Sequence, residues 1–267
     1  MNVMLPEAEL VLAPAIGPFL PLAGGKVSSA VELLGGVGFT AIQLDVTLPS
    51  IRPRELSQRA RRDLKALFVR RDQRIAGLDL FVPRKHYQES QRVDRAMAAT
   101  LAAIELAADL GRLPLSLALP VAQMDADLRA TLVEAADRHD VILAVHAEDQ
   151  IEAALSWAEE IDLPVLGLAI DPAAVLIGLG DPEKLVHRIG RQLRIGRLSD
   201  ATAAGAEGIS RCPVGQGELD VMAYRLALHL AGRRSEMVVL DVRALADAMS
   251  AAVAAQSIWD AAASISS

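Results

Sequence analysis

The feature that most limits the fold is a repeated order along the chain. A short apolar, β-rich run is followed by a longer amphipathic segment, eight times over. The apolar runs are Leu10–Ala15, Thr40–Val46, Arg74–Pro83, Leu115–Pro120, Val141–His146, Pro164–Asp171, Leu193–Asp200 and Met237–Val242. Helices are predicted over Lys26–Leu34, Arg54–Arg71, Arg92–Leu110, Asp127–His139, a segment ending at Glu159, Pro182–Arg191, Leu219–Leu230 and Ala244–Ala263. The third shows the pattern best: Val93, Met97, Leu101, Ile104 and Ala108 make one apolar stripe, and Gly111 is a natural stop. Ala201–Glu218 reads as a long loop.

Eight βα units without a linker-like break predict an α/β chain folded as a single (β/α)8 TIM barrel over residues 1–267. A doubly wound open sheet is the alternative. Its dinucleotide fingerprint is missing, because no strand runs into G-x-G-x-x-G. Gly215-Gln216-Gly217 lacks the third glycine and reads as a turn.

Composition narrows the partners. The chain carries 27 Lys and Arg against 34 Asp and Glu, a net charge of −7, and only 3% aromatic residues. A nucleic-acid reader needs a basic face and stacking platforms, so neither nucleic acid nor phosphate backbone is the expected partner. The basic cluster Arg59, Arg61, Arg62, Lys65, Arg70, Arg71 and Arg74 has the spacing of a solvated helix face. The single cysteine, Cys212, forbids an intrachain disulfide. The first nine residues carry Glu7 and Glu9 and no basic residue, the wrong sign for a secretory leader. The longest uncharged run, Leu10–Gly25, is broken by Pro14, Pro18 and Pro21 and is too short to span a membrane. These features predict a soluble cytoplasmic protein acting on a small molecule, with no membrane partner. They leave a homo-oligomer open.

Catalytic groups of such barrels sit at the C-terminal ends of strands and in the loops just after. Those ends carry Gln43 and Asp45, His146 and Glu148, Asp171, Arg197 with Ser199 and Asp200, and Asp241 with Arg243. Strands one and four offer no such group, and the polar residues cluster on strands two and five to eight. Asp171, Asp200 and Asp241 could equally be turn or cap residues, and His146 a packed histidine. Arg84 and His86 follow strand three on a mouth loop, within reach of a substrate. His139 reads as a helix-end residue and His187 and His229 as surface residues.

With those ends marked, the chain resembles the sugar phosphate isomerase/epimerase family, the xylose-isomerase-like TIM barrels. GFTAIQL at 38–44 is similar to the family's GFDGVEL, LGLAIDPAAV at 166–175 to its "vGl.lDpgHa", and LRIGRLSD at 193–200 to its "i.hvHlkD". PVGQGELD at 213–220 is similar to "pvGeGevD", and EMVVLDV at 236–242 to "g.vvlEv". The resemblance implies a divalent metal (Mn, Mg or Zn) held by Glu, Asp, His and Glu from strands five to eight. The metal polarises a sugar carbonyl and hydroxyl while the glutamates move a proton. This sequence departs from that set. His146 aligns with the first glutamate, Asp171 matches the aspartate, Arg197 takes the histidine position, and Asp241 shortens the last glutamate. Ala174 replaces a further histidine, Gln43 the second-strand glutamate, and Arg211 matches an arginine that touches substrate.

His146, Asp171 and Asp241 could still form a mixed N/O metal site. Arg197 opposes it: two unit charges at about 4 Å and an effective dielectric near 20 interact by about 4 kcal/mol, and a dication by roughly twice that. The metal site is therefore expected to be lost or remodelled, and no cofactor follows from the residues alone. The first functional reading is an isomerase or epimerase acting on a carbohydrate-like substrate through an enediolate. His146 and Asp241 would move the proton, Arg197 would stabilise the oxyanion, Asp171 would orient His146 or bind a hydroxyl, and Gln43, Arg211, His86 and Glu148 would contact substrate. The alternative is a non-catalytic carbohydrate-binding or regulatory barrel. An endonuclease-like relative would need several metal-binding histidines at the mouth, which this acidic chain lacks.

Overall fold

The computed structural model describes residues 10–202, 210–231 and 236–264. Its strands are β1 (Val11–Pro14), β2 (Ala41–Asp45), β3 (Arg74–Leu80), β4 (Leu115–Ala118), β5 (Leu143–His146), β6 (Leu166–Ile170), β7 (Leu193–Leu198), β8 (Asp200–Thr202), β9 (Ser210–Cys212) and β10 (Met237–Leu240). Its helices are α1 (Val27–Gly36), α2 (Gln58–Arg70), α3 (Val93–Gly111), α4 (Ala126–His139), α5 (Ile151–Ile161), α6 (Pro172–Ile177), α7 (Pro182–Ile189), α8 (Val221–Leu230) and α9 (Ala248–Ser264).

Eight strands form one parallel sheet in the order β1-β10-β7-β6-β5-β4-β3-β2. The ends meet where Ala15 bridges Gln43 and the Ile16 N–H donates to the Gln43 carbonyl at 2.9 Å. The sheet thus curls into the expected (β/α)8 barrel rather than an open doubly wound sheet.

Period-two alternation along the strands sorts the side chains. Outward Leu115, Leu117, Leu143, Val145, Leu166, Leu168 and Leu240 join the main core under the helices. Inward Ala15, Ala144, Ala169, Ile195 and Val239 form a separate small cluster inside the barrel. Truncating a buried leucine such as Leu117 to alanine costs about 2–5 kcal/mol, so the outer layer supplies the rigidity that the alanine-lined interior does not.

Two irregularities set what faces the barrel axis. Between Ile42 and Gln43 the β2–β3 register shifts, so Gln43 opposes Gly77 and Asp45 opposes Asp79. Between Leu168 and Ala169 the β6–β7 register shifts likewise, with Ile195 opposite Ala169. A one-residue shift exchanges the faces of everything beyond it. The shifts put Asp79 and Arg197 on the inward face.

Several helices begin at capped positions. Asp125, Asp181 and Asp220 accept backbone N–H groups at 2.8, 3.0 and 2.9 Å at the starts of α4, α7 and α8. The loop expected after β7 contains the antiparallel β8–β9 pair, with residues 203–209 outside the described residues. Helix α6 was not anticipated between the sixth strand and Pro182. It starts at Pro172, which suits a first helical position. Residues 1–9, on which the leader reading rests, also lie outside the described residues. Among the described residues no helix is long and apolar enough to cross a membrane. The basic cluster is on and beside α2, where Arg59 pairs with Asp63, Arg61 with Asp109, and Arg71 with Glu32, as a solvated face does.

Candidate functional site

At the C-terminal mouth the inward side chains change from alanine to charged groups. They surround a cavity of about 710 Å³ whose wall includes Asp79, His146, Asp171, Arg197, Arg211 and Arg243. Arg197, from β7, is at the centre and 3% exposed. Its Nη2 donates to Asp79 Oδ1 at 2.8 Å, its Nη1 to Asp241 Oδ2 at 2.7 Å, and its Nε to His146 Nε2 at 3.1 Å. Tyr224 Oη donates to the Arg197 carbonyl at 2.8 Å, tying α8 to the same strand. Burial disfavours the charged guanidinium, but Asp79, Asp241 and Asp171 outweigh it and hold the pKa above the usual arginine value.

A guanidinium has no acceptor, so the Arg197 contact makes His146 Nε2 the acceptor. The imidazole proton then sits on Nδ1, which donates to Glu148 Oε1 at 2.8 Å. Glu148 Oε1 also accepts the Asp171 N–H at 2.9 Å. Ser116 Oγ approaches the same Nε2 to 3.0 Å. Ser116, His146 and Glu148 thus have the connectivity of a hydrolase triad, but Ser116 is fully buried and cannot meet a substrate.

Asp241 has no exposed side-chain surface. Besides Arg197 it accepts from Arg243 Nη2 at 2.7 Å, from Arg243 Nε at 2.9 Å and from the Arg243 backbone N–H at 3.1 Å. Burial favours the protonated acid, yet Arg197, Arg243 and Arg211 prevail and hold its carboxyl far below the usual range. Asp171 is lowered as well: burial opposes this, and Arg211 and Arg197 overcome it. Its Oδ1 accepts Ser199 Oγ at 2.6 Å, and its Oδ2 pairs with Arg211. Arg211, on β9, keeps its Nη1 without a hydrogen-bond acceptor, 3.7 Å from Asp241 Oδ2.

Asp200 has a different use. Its carboxylate accepts four backbone N–H groups, from Ala201 at 2.8 Å and from Gly215, Gly217 and Leu219 at 3.0 Å each. The Gly215-Gln216-Gly217 turn is folded around this one side chain. Gly215 has φ +84°, and a Cβ on Gly217 would strike Asp200.

His146, Glu148, Asp171, Arg197 and Arg211 therefore line the cavity, while Asp241 lies behind its wall. Two expected substrate contacts are not brought there. Gln43 faces inward but is fully buried, and its side-chain amide has no hydrogen-bond partner among the described residues. His86 Nε2 is bonded to Arg92 at 3.0 Å, outside the cavity wall. Strand four places only Ala118 in the cavity wall; Ser116, deeper in the strand, reaches His146 from behind it. Strand three contributes Asp79, which attention to strand ends alone passed over. Its signal is one acid inside the apolar run Gly77–Phe81.

The family model described as "Xylose isomerase-like TIM barrel" matches residues 31–256. No curated protein matches the sequence significantly. Among solved structures, a xylose isomerase domain protein from Planctomyces limnophilus aligns with TM-score 0.74 and 15% identity, covering 94% of this chain and 95% of that one. The 3-keto-D-glucoside 4-epimerase of E. coli aligns with TM-score 0.72 and 14% identity, over 95% of this chain and 100% of that one. A xylose isomerase-like TIM barrel protein from Mycobacterium smegmatis, solved in complex with magnesium, aligns with TM-score 0.71 and 12% identity, over 98% and 99% of the two chains. At such identities the likeness establishes the fold.

Proposed function

Because the chain belongs to the xylose isomerase-like TIM barrel family, we propose that its cavity binds an uncharged sugar or polyol without a metal ion, Arg197 standing in the cation's place. The observation that carries this is the triple engagement of Arg197 by Asp79, Asp241 and His146.

The residues do not fit a divalent metal. His146 Nε2, Asp171 Oδ2 and Asp241 Oδ2 are the donors left at the family's ligand positions, and each already accepts from an arginine. Among the described residues, no three His, Cys, Asp or Glu side chains converge to hold an ion. Admitting one would mean displacing Arg197 from Asp79, Asp241 and His146, and breaking a buried ion pair by removing one partner costs about 3–5 kcal/mol.

Charge balance favours a neutral ligand. Each described arginine of the cavity wall is already paired: Arg84 with Asp149, Arg197 with Asp79, Arg211 with Asp171 and Arg243 with Asp241. No surplus cation is left for a phosphate. The partly exposed Arg211 side chain in the wall offers guanidinium hydrogens to hydroxyl or carbonyl oxygens, and the epimerase among the structural neighbours is named for a sugar derivative.

The two-base route expected of His146 and Asp241 does not suit this geometry. A carboxylate clamped by arginines and held so far below its usual pKa is a poor proton acceptor. Binding without turnover is therefore the reading the geometry supports best. One observation favours a second reading: Glu148 fixes the His146 tautomer so that Nε2 faces Arg197. Once the Arg197 N–H turns from Nε2 to the substrate oxygen, that nitrogen could take a proton from the hydroxyl-bearing carbon beside a carbonyl and return it to the former carbonyl carbon, the hydroxyl proton passing between the two oxygens while Arg197 stabilises the enediolate.

The test is calorimetric titration of pentoses, hexoses and their alditols in EDTA, followed by proton NMR of the bound sugars in D2O. Binding without deuterium entering the position beside the carbonyl supports the first reading. Exchange that vanishes in His146→Asn transfers support to the second. Binding that needs added metal overturns both.

A further inference from the structure

The chain has eight aromatic residues: four Phe, two Tyr and two Trp. Seven are buried: Phe19, Phe39, Phe68, Tyr87, Trp157, Tyr224 and Trp259. The eighth, Phe81, is 64% exposed, and it lines the cavity. A lone apolar residue on a surface needs no explanation. This ring is the one aromatic side chain the fold leaves in solvent, and it stands in the wall of the candidate site.

Its place in the barrel sharpens the point. Phe81 directly follows β3, and going round the closed sheet β3 lies four strands from β7, across the mouth. Asp79, two residues before it, reaches across to Arg197 on that far strand. Phe81, Val82, Pro83 and Ala118 form an apolar stretch of wall at the ends of β3 and β4, whereas His146, Asp171, Arg197 and Arg211 come from β5 onward. An open aromatic ring with apolar neighbours thus stands in the wall across the mouth from Arg197, with Asp45, Thr47, Asp79 and Arg84 adding polar groups on the ring's own side.

Ring-closed sugars have matching surfaces: hydroxyls around the edge and a patch of C–H bonds on a face. The negative face of an aromatic ring attracts polarised C–H bonds and shields them from water. An open-chain polyol offers no such flat patch and loses more rotational freedom on binding. We infer that the ligand is a ring-closed sugar or cyclitol, seated with a C–H face on Phe81 and its hydroxyls toward Arg197 and Arg211. This rests on the sugar-binding reading above and specifies which form of ligand the site takes.

The experiment compares D-glucose, D-galactose, D-xylose and myo-inositol with sorbitol and xylitol, by calorimetry on the full chain and on Phe81→Ala and Phe81→Trp. Phe81 is exposed, and melting curves of both variants check that the fold is kept. The expected result is that a cyclic compound binds about tenfold more tightly than the alditols, that Phe81→Ala weakens it by about tenfold, and that Phe81→Trp stays within about threefold of wild type. Ring C–H protons of the bound sugar should also shift upfield in wild type and not in Phe81→Ala. Equal affinity of wild type and Phe81→Ala, or an alditol binding as tightly as the cyclic compounds, overturns the inference and leaves the sugar-binding reading standing. No binding of any compound by wild type overturns both.

Discussion

The Nε–H of Arg197 donates to Nε2 of His146 at 3.1 Å. The two residues that the sequence resemblance aligns with the family's metal-binding histidine and first glutamate are thus bonded directly to each other. That contact uses the lone pair a metal would need and, through Nδ1, fixes how Glu148 is used.

Arg197→Met should destabilise the fold by about 3–5 kcal/mol, because it removes the buried guanidinium shared by Asp79 and Asp241 and leaves Arg243 alone to serve both. Arg197→Lys should rescue little, since an ammonium lacks the planar fork that meets three partners. Adding Asp79→Leu to Arg197→Met should recover part of the loss, since Arg243 and Asp241 keep each other as partners. Urea unfolding of the four proteins measures this, and an unchanged midpoint in Arg197→Met contradicts it.

Acid should weaken the protein through Asp171 and Asp241. Both have folded pKa values below the unfolded value of about 3.9. Their stabilisation is complete well above that pH and falls as pH drops below it, because the unfolded chain then binds protons the folded one refuses. Each group contributes a slope of about 1.4 kcal/mol per pH unit in that window. Denaturation at a series of pH values should give a shallower acid limb for Asp171→Asn than for wild type, and an identical slope contradicts the assignment.

The turn at 213–219 should depend on Asp200. Asp200→Ala removes the acceptor of four backbone N–H groups, and each buried donor left unpaired costs about 1–3 kcal/mol. Gly217→Ala should perturb the same turn by pushing a methyl group into that carboxylate. Amide hydrogen exchange at Gly215, Gly217 and Leu219 should accelerate in both variants. Unchanged protection in Asp200→Ala would exclude the cradle.

The His146 tautomer can be read directly. In nitrogen NMR of histidine-labelled protein, His146 should show a protonated Nδ1 and an acceptor-type Nε2. Glu148→Ala should weaken that preference by removing the Nδ1 acceptor. A proton found on Nε2 in wild type contradicts the contact with Arg197.

Much of this was legible in the sequence, for definite reasons. Apolar alternation marked the eight barrel strands, and polar residues at the ends of β5, β6 and β7 pointed to His146, Asp171 and Arg197. Asp79 was missed because it is inside an apolar run, and only the β2–β3 register shift makes it face inward opposite Asp45. Gln43 shares a face with Asp45, as alternation requires, but lies one layer deeper, where depth and not direction excludes it from the wall. The partners of Arg197 could not be read, because Asp79 is 118 residues away and meets it only through barrel closure. Asp200 looked like the other strand-end acids. Its backbone cradle depends on a turn whose glycines were visible but whose centre was not.

The central claim, that a guanidinium occupies the family's cation position, is tested most directly by titrating Mn²⁺ into chelator-treated protein and following the free ion by electron paramagnetic resonance. With Arg197 in that position, the free-ion signal should rise as in buffer alone, for wild type and for Asp171→Ala alike. A stoichiometric bound fraction in wild type that disappears in Asp171→Ala would contradict it.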